Sequence, residues 1–170
     1  MISGRTERIM EKYRNLLIVF GAMLGSMITA GLVSDYHKKQ LQTSQWHVQR
    51  FQDHYWLLNH WLELKNEGKS TASYFEERGY RHIAVYGMAE LGNRLMEDLE
   101  DSPVQIDYGI DRDISCSIAR IDEVYYPEDD LPETDVIVVT PYSMYEEIKE
   151  LLEKKVKCPV VSLEEVVWSV

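Results

Sequence analysis

The sequence predicts a small α/β domain built on a parallel sheet of the doubly wound type, covered by helices. Three observations support this fold class. A short apolar strand runs into Gly87, apolar strands and amphipathic helices alternate after it, and residues 136–139 read VIVV. A run that is apolar on both faces suits a parallel strand with helices on both sides. We expect five strands in the order 3-2-1-4-5.

Size and composition restrict the possible functions. The chain has 170 residues, a formal net charge of -11 and a pI of about 4.9. This length suits one domain with attachments. An acidic chain lacks the basic face that nucleic acids require, so no nucleic-acid partner is expected. Cys116 and Cys158 form no C-x-x-C motif, so neither a zinc site nor a disulfide framework is expected.

An apolar segment precedes the domain. Residues 16–33 read LLIVFGAMLGSMITAGLV without a charged residue, enough for a helix of about 27 Å. We interpret residues 1–34 as a single-pass membrane anchor. Two alternatives remain: a cleaved signal peptide with a weak site at residues 28–30, or a buried or interfacial helix.

Charge near this segment only weakly indicates its orientation. Basic residues flank it on both sides: Arg5, Arg8, Lys12 and Arg14 before it, and Lys38, Lys39 and Arg50 after it. The positive-inside rule therefore favours a cytoplasmic N-terminus by one residue. A nucleotide-type domain needs the cytoplasm instead, and we expect the domain there, at the cell membrane. Gly21 and Gly25 form a G-x-x-x-G pattern that would allow two such helices to pair.

Residues 35–79 are expected to form a helical spacer. Apolar residues recur there at alternating spacings of three and four: Val48, Phe51, Tyr55, Leu58 and Leu62. Such a heptad-like seam requires a partner, which is the same helix in a second chain, the adjacent domain, or another protein. A homodimer through residues 16–33 and 46–64 is one such arrangement. The histidines of this stretch lack matching ligands, so no metal site is expected.

Residues 80–170 are expected to form the α/β domain, after a short helix at 71–78 that Gly79 ends. Strands are predicted at 82–86, 105–110, near 123–126, at 135–140 and at 158–161. Helices are predicted at 89–100 and 143–154, and Ser162 opens a last helix with a capping-box pattern.

The strongest functional signal is the run Gly87-Met88-Ala89-Glu90-Leu91-Gly92, which follows the first strand. A strand, a glycine turn and a helix N-terminus form the half Rossmann-like layout that binds a nucleotide phosphate. Ala89 replaces the second glycine of the G-x-G-x-x-G pattern. Binding of a nucleotide or nucleotide sugar, and a turn kept only for the fold, therefore both remain open.

Three further residues join this candidate site. Asp111 ends the second strand, where an acid binds ribose hydroxyls, and Arg112 beside it suits a 2′-phosphate or a diphosphate. Thr140 ends the fourth strand. The alternatives are an Asx turn at Asp111 and a helix lead-in at Thr140. Tyr145 and Lys149 match the catalytic pair of short-chain dehydrogenases only as a string, so no catalytic residue is assigned.

Parts of the chain resemble small Rossmann-like, NAD(P)-binding-type domains of bacterial cell-surface polysaccharide biosynthesis, which occur beside or fused to glycosyltransferases. They are also similar to the C-terminal region of sugar C-methyltransferases. The resemblance rests on residues 83–92, 108–112 (YGIDR) and 159–165 (PVVSLEE), and on a lead-in at 61–65 (WLELK) and Tyr74-Phe75. It covers residues 61–170.

The resemblance implies a membrane-anchored accessory protein of surface glycan assembly. Its domain would bind NAD(P) or a nucleotide sugar without catalysis, with a glycosyltransferase or another glycan-assembly protein as partner. Two alternatives are carried forward. One is an NAD(P)-dependent sugar-nucleotide oxidoreductase or epimerase, and the other is a pure scaffold that docks a glycosyltransferase through residues 46–64.

Overall fold

The computed structural model describes residues 23, 33–34, 36–38, 40–41, 45–113, 121 and 123–170. The chain divides into two compact units, Met1–Phe51 and Gln52–Val170. The described residues of the first unit are helical. The expected membrane segment at residues 16–33 lies outside the described residues except for Met23 and Val33. Within the described part of the chain, no helix has the length and apolar character needed to cross a membrane.

The second unit contains one five-stranded sheet in which every strand pair is parallel. Its strands are β1 (His82–Tyr86), β2 (Gln105–Ile110), β3 (Val124–Tyr125), β4 (Val136–Val139) and β5 (Val160–Ser162). The order is β3-β2-β1-β4-β5, which confirms the predicted topology. Strand β1 lies between β2 and β4, so the carboxyl ends of these three strands meet at one edge of the sheet.

Five helices accompany the sheet within the described residues of this unit. They are α1 (residues 52–66), α2 (Ala72–Arg78), α3 (Glu90–Leu99), α4 (Tyr145–Leu152) and α5 (Leu163–Trp168). A single 3-10 turn, Tyr142–Met144, precedes α4, so that helix is shorter than predicted. Strand β5 begins after Pro159 because proline has no N–H to give to a ladder.

Two helix ends, at Gly79 and at Ser162, were predicted from local sequence signals. Gly79 ends α2 in the left-handed conformation, with φ of 76°. Ser162 caps α5, since its Oγ accepts a hydrogen bond of 3.0 Å from the N–H of Glu165. The Glu165 carboxylate accepts instead from the hydroxyl of Tyr74, at 2.8 Å. The predicted hydrogen bond to the Ser162 side chain is therefore confirmed. The Glu165 side chain joins α5 to α2 through Tyr74.

Each face of the sheet has its own core. Alternate residues of β1 face opposite ways: Ile83 and Val85 pack with α1, α2, α3 and α5, whereas Ala84 and Tyr86 pack with α4. Both sets of strand residues are buried. The sheet is therefore a buried middle layer, as its apolar runs require.

Helix α1 belongs to the first of these cores. Leu57, Trp61 and Leu64 are buried against the α/β elements. The compact unit therefore begins at Gln52 and includes much of the stretch that the sequence suggests is a spacer. One of the three partners expected for this helix, the adjacent domain, covers one of its faces.

A buried carboxylate joins α1 and α2 to α3. Asp98 accepts hydrogen bonds from Trp61 Nε1 at 3.1 Å and from the Thr71 N–H and hydroxyl at 2.9 and 2.7 Å. It also forms an ion pair with Lys65. Burial by itself raises the pKa of Asp98, but the hydrogen bonds from Lys65, Thr71 and Trp61 outweigh it and hold the pKa below its usual value.

Candidate functional site

The candidate site begins at the turn between β1 and α3. Gly87 has φ of 92°, a conformation that side-chain-bearing residues rarely adopt. A Cβ at this position would lie 2.6 Å from Thr140 Oγ1 and 2.7 Å from Pro141 Cδ. Glycine is therefore required here by the backbone and by close packing, whether or not a ligand binds.

The second glycine brings α3 close to this turn. A Cβ on Gly92 would overlap the carbonyl oxygen of Gly87, which is a backbone atom that cannot rotate away. Gly92 is buried, and the contact matches the close helix packing that this position of the motif provides.

Met88 points into the core and not towards the edge of the sheet. Its side chain is fully buried and lies over Gly109 of β2, where a Cβ would come within 2.7 Å of the Met88 sulfur. Only the backbone of Met88 can therefore face a ligand. Gly109 was not among the predicted site residues, although a glycine inside a strand is a signal of close approach.

Asp111 is held at the end of β2 by two backbone donors. Its Oδ2 accepts from the N–H of Met88 at 2.7 Å, and its Oδ1 accepts from the N–H of Asp113 at 2.9 Å. The second bond is the Asx-type turn that the sequence left open. Each carboxylate oxygen has a further lone pair, so Asp111 can still accept hydroxyl groups of a sugar. The first bond fixes the carboxylate beside the glycine turn.

Thr140 supports the turn from the end of β4. Its side chain is 3% exposed, and its hydroxyl donates to the carbonyl of Gly87 at 2.8 Å. Its N–H donates to the carbonyl of Tyr86 at 2.9 Å. The hydroxyl is thus already used to join β4 to the turn. Thr140 therefore supports the structure of the site and is not a strong candidate for contact with a ligand.

The N-terminus of α3 completes the site. The N-cap is Ala89, in extended conformation, and no side-chain hydrogen bond caps the helix. Ala89 and Glu90 are exposed and Leu91 is half-buried. The first N–H groups of an uncapped helix attract an anion, and the helix dipole reinforces that attraction. Arg112 is exposed beside Asp111 and adds a positive charge at the same edge of the sheet.

Other candidate chemistry in the chain is used for structure. The hydroxyl of Tyr145 donates to the carbonyl of Val160 at 2.8 Å, which anchors α4 to β5. Among residues 45–113 and 123–170, no cluster of three or more His, Cys, Asp or Glu side chains is arranged to hold a metal ion. Among the described residues at this edge, Asp111, Arg112 and the α3 N-terminus have groups that can contact a ligand.

Comparison of the chain with protein-family models, with curated proteins and with solved structures finds no match. The fold and the site define a small parallel α/β domain with a glycine turn and a strand-end acid.

Proposed function

We propose that the domain binds a nucleotide, as a dinucleotide or a nucleotide sugar, and does not itself catalyse a reaction. The observation that carries the proposal is the Asp111 carboxylate, fixed 2.7 Å from the Met88 N–H beside the uncapped N-terminus of α3. An anion site and a hydroxyl acceptor next to each other suit a phosphate joined to a ribose.

The phosphate subsite would be formed by the backbone of Gly87, Ala89, Glu90 and Leu91. The Ala89 methyl group narrows the approach that a second glycine would leave open. The Glu90 carboxylate in the first helical turn opposes an anion, but Glu90 is exposed and can turn towards solvent. Arg112 offsets part of that negative charge.

The non-catalytic part of the proposal is supported by the engagement of two candidate hydroxyls, those of Thr140 and Tyr145, within the protein. The Thr140 hydroxyl bonds to Gly87, and the Tyr145 hydroxyl bonds to β5. An NAD(P)-dependent sugar-nucleotide oxidoreductase or epimerase is the alternative. It would need a general acid or base free to reach the substrate. Turnover of a bound sugar nucleotide by the purified chain would establish that alternative.

Calorimetric titration of the full chain with NAD, NADP, UDP and UDP-sugars tests the proposal. Asp111→Asn should weaken binding about tenfold, because an amide presents a weaker acceptor to a hydroxyl. Asp135→Asn is the matched control. Asp135 also accepts two backbone N–H bonds, from Arg81 and His82 at 2.7 and 2.8 Å, but at the opposite edge of the sheet.

The control variant should bind as the unmodified chain does, and melting curves of both variants must show that they are folded. A folded chain that binds none of these nucleotides would refute the proposal. Equal loss of affinity in both variants would assign the effect to the scaffold and not to Asp111.

The cellular setting is proposed on the sequence alone. The resemblance supports a role in surface glycan assembly with a glycosyltransferase as partner, and the apolar residues 16–33 support anchoring in the cell membrane. The domain is placed in the cytoplasm because its proposed nucleotide ligands are found there. Membrane fractionation of cells that express the full chain, with and without residues 16–33, tests the anchor. Protease access to the C-terminal domain in intact cells tests its side of the membrane.

A second candidate function, a scaffold, is favoured by the outer face of α1. Four large side chains are exposed there: Tyr55 (57%), Trp56 (59%), Leu58 (37%) and Leu62 (59%). They lie apart from the buried set of the same helix, so two apolar faces exist and only one is covered by the domain. Exposed apolar clusters of this kind mark interaction surfaces.

Leu62→Glu tests the scaffold function, with Asn66→Glu as the control. Both positions are exposed on α1, so neither change should lower the melting temperature. Loss of self-association or of a co-purified glycosyltransferase in Leu62→Glu alone would support a docking face. Retention in both variants would argue against it.

A further inference from the structure

Tyr86, the last residue of β1, carries a buried hydroxyl that has no hydrogen-bond partner. The residue is 4% exposed, and its hydroxyl is the only buried side-chain polar atom without a partner among the residues that the structure describes. Three other tyrosine hydroxyls of this unit bond at 2.8 Å: Tyr74 to Glu165, Tyr108 to Pro132 and Tyr145 to Val160. A buried hydroxyl without a partner loses its hydration without compensation.

The position of Tyr86 places this hydroxyl at the candidate site. Tyr86 precedes Gly87, and in the sheet it pairs with Ile110, the residue before Asp111. Burial raises the pKa of the phenol, whereas the Arg112 guanidinium lowers it through its charge and through a hydrogen-bonding approach that falls short of a well-formed hydrogen bond; the Asp111 and Glu128 carboxylates raise it. The net shift is upward, so the phenol keeps its proton at neutral pH and can both donate and accept.

The turn that carries Glu128 is also held in place. Lys155 Nζ donates to the carbonyl oxygens of Pro127 and Glu128, at 2.9 and 2.6 Å. Asp111 is fixed by its backbone donors as well. Both carboxylates that influence the phenol, those of Asp111 and Glu128, therefore belong to segments held in place by hydrogen bonds. Arg112, by contrast, is exposed, and its side chain can move without disturbing the core.

The chemistry of this surrounding favours a neutral, hydroxyl-rich group. The carboxylates of Asp111 and Glu128 accept hydrogen bonds, and the guanidinium of Arg112 donates them. The phenol can both donate and accept. The three charged side chains sum to one net negative charge, which repels a phosphate and suits a diol. The anion subsite lies instead at the N-terminus of α3.

We propose that the Tyr86 hydroxyl forms a hydrogen bond with a sugar hydroxyl of the bound nucleotide. This is the same nucleotide whose ribose hydroxyls would donate hydrogen bonds to Asp111. This inference rests on the proposed nucleotide-binding function and adds a residue on the α4 side of the sheet. The ligand supplies the partner that the hydroxyl lacks, and Arg112 moves to admit it. Tyr86 is a binding residue here and takes part in no bond-making step.

Tyr86→Phe tests the proposal, with Tyr108→Phe as the matched control. Tyr108 is a buried tyrosine of the adjacent strand in the same core, but its hydroxyl is bonded to the carbonyl of Pro132. Without ligand, Tyr86→Phe should melt at the same or a higher temperature than the unmodified chain. Tyr108→Phe should melt lower because it loses a hydrogen bond.

In titrations of the full chain with UDP and UDP-glucose, Tyr86→Phe should bind at least UDP-glucose about five- to tenfold more weakly, and Tyr108→Phe should bind both normally. Comparing UDP, 2′-deoxy-UDP and UDP-glucose identifies the sugar. If Tyr86 binds the ribose, removing the 2′-hydroxyl weakens binding to the unmodified chain more than it weakens binding to Tyr86→Phe, in which only Asp111 still contacts the ribose. If it binds the hexose, only the advantage of UDP-glucose is lost in the variant.

Two results would overturn the inference while leaving the proposed function intact. One is unchanged affinity of Tyr86→Phe for both UDP and UDP-glucose. The other is a fall in its melting temperature as large as that of Tyr108→Phe, which would show that the hydroxyl is satisfied within the protein, for example through a buried water. If the unmodified chain binds no nucleotide, the proposed function fails and this inference fails with it.

Discussion

The side chain of Met88 lies over the bare Cα of Gly109, so the first residue after the glycine turn is locked to the neighbouring strand. The same residue gives its N–H to Asp111, two positions beyond Gly109. Met88 thereby joins the turn to the end of β2 in two ways, through its side chain and through its backbone N–H. These two contacts position the turn and the Asp111 carboxylate before any ligand binds, and such preorganisation lowers the entropy lost on binding.

Gly109→Ala should destabilise the domain by about 1 to 3 kcal/mol, because the added methyl group meets a fully buried side chain. The Met88 sulfur would lie 2.7 Å from the new Cβ and Met88 Cγ would lie 2.9 Å from it. Urea unfolding followed by circular dichroism measures the change. Met88→Ala, which removes the obstacle, should cost about 2 to 5 kcal/mol by itself.

The double variant should cost less than the two single variants added together, since each change relieves the other. Strict additivity would mean that Met88 and Gly109 do not share this space.

Ala89→Ser should stabilise the domain by about 1 kcal/mol, because it supplies the side-chain cap that α3 lacks. Ala89 is exposed and has the extended conformation that caps favour, so no repacking is needed. Thermal unfolding measures the gain. Ala89→Asp should stabilise α3 in the same way and also weaken nucleotide binding, because its carboxylate occupies the anion site. Unchanged affinity in Ala89→Asp would place the phosphate elsewhere.

Asp98→Asn should destabilise the domain by about 2 to 3 kcal/mol, because it removes a charged acceptor that serves three residues. Glu97→Gln is the control. Glu97 is one position away, is exposed and pairs only at the surface with Arg94, so about 0 to 1 kcal/mol is expected there. Urea unfolding of the two variants at neutral pH makes the comparison.

The effect of Asp98 should also depend on pH. Its pKa in the folded chain is lowered, so the stabilisation is present above the ordinary pKa of an aspartate and is lost as the pH falls through the folded-state value. The unfolding free energies of Asp98→Asn and of the unmodified chain should therefore converge in acid. A difference that stays constant down to the lowest pH would contradict the lowered pKa.

His82 should titrate above the ordinary histidine value. A hydrogen bond with Asp107, 3.0 Å from Nδ1 of His82, raises the pKa of the imidazole, and the opposite charge of Asp107 raises it further. Because the folded-state pKa is raised, any stabilisation is present below the ordinary pKa and is lost as the pH rises through the folded-state value. NMR titration of the His82 ring protons measures the midpoint. Asp107→Asn should return it towards 6.5, and an unchanged midpoint would show that Asp107 is not its partner.

Features that depend on neighbours in the chain were accessible from the sequence. The strands could be predicted because apolar runs, Gly87 and Gly79 are local signals whose meaning is set by backbone sterics. Their order followed from the fold class that the alternation of strands and helices indicates. The position of Asp111 at the end of β2 followed from the same pattern.

Features that depend on distant pairs were not accessible. The Thr140 hydroxyl meets Gly87 across 53 residues, Trp61 meets Asp98 across 37, and Tyr74 meets Glu165 across 91. Local patterns carry no record of these contacts, because a side chain chooses its partner only when the strands and helices have packed.

The sequence by itself determined a five-stranded parallel α/β domain with a glycine turn and a strand-end acid. Only the tertiary structure decided which groups at that edge are engaged within the protein. Packing buries the Met88 side chain and engages the hydroxyl of Thr140, and it leaves the hydroxyl of Tyr86 without a partner. The physical reason is that hydrogen bonding of a buried group is settled by whatever lies within about 3 Å of it, and the fold alone brings those atoms together.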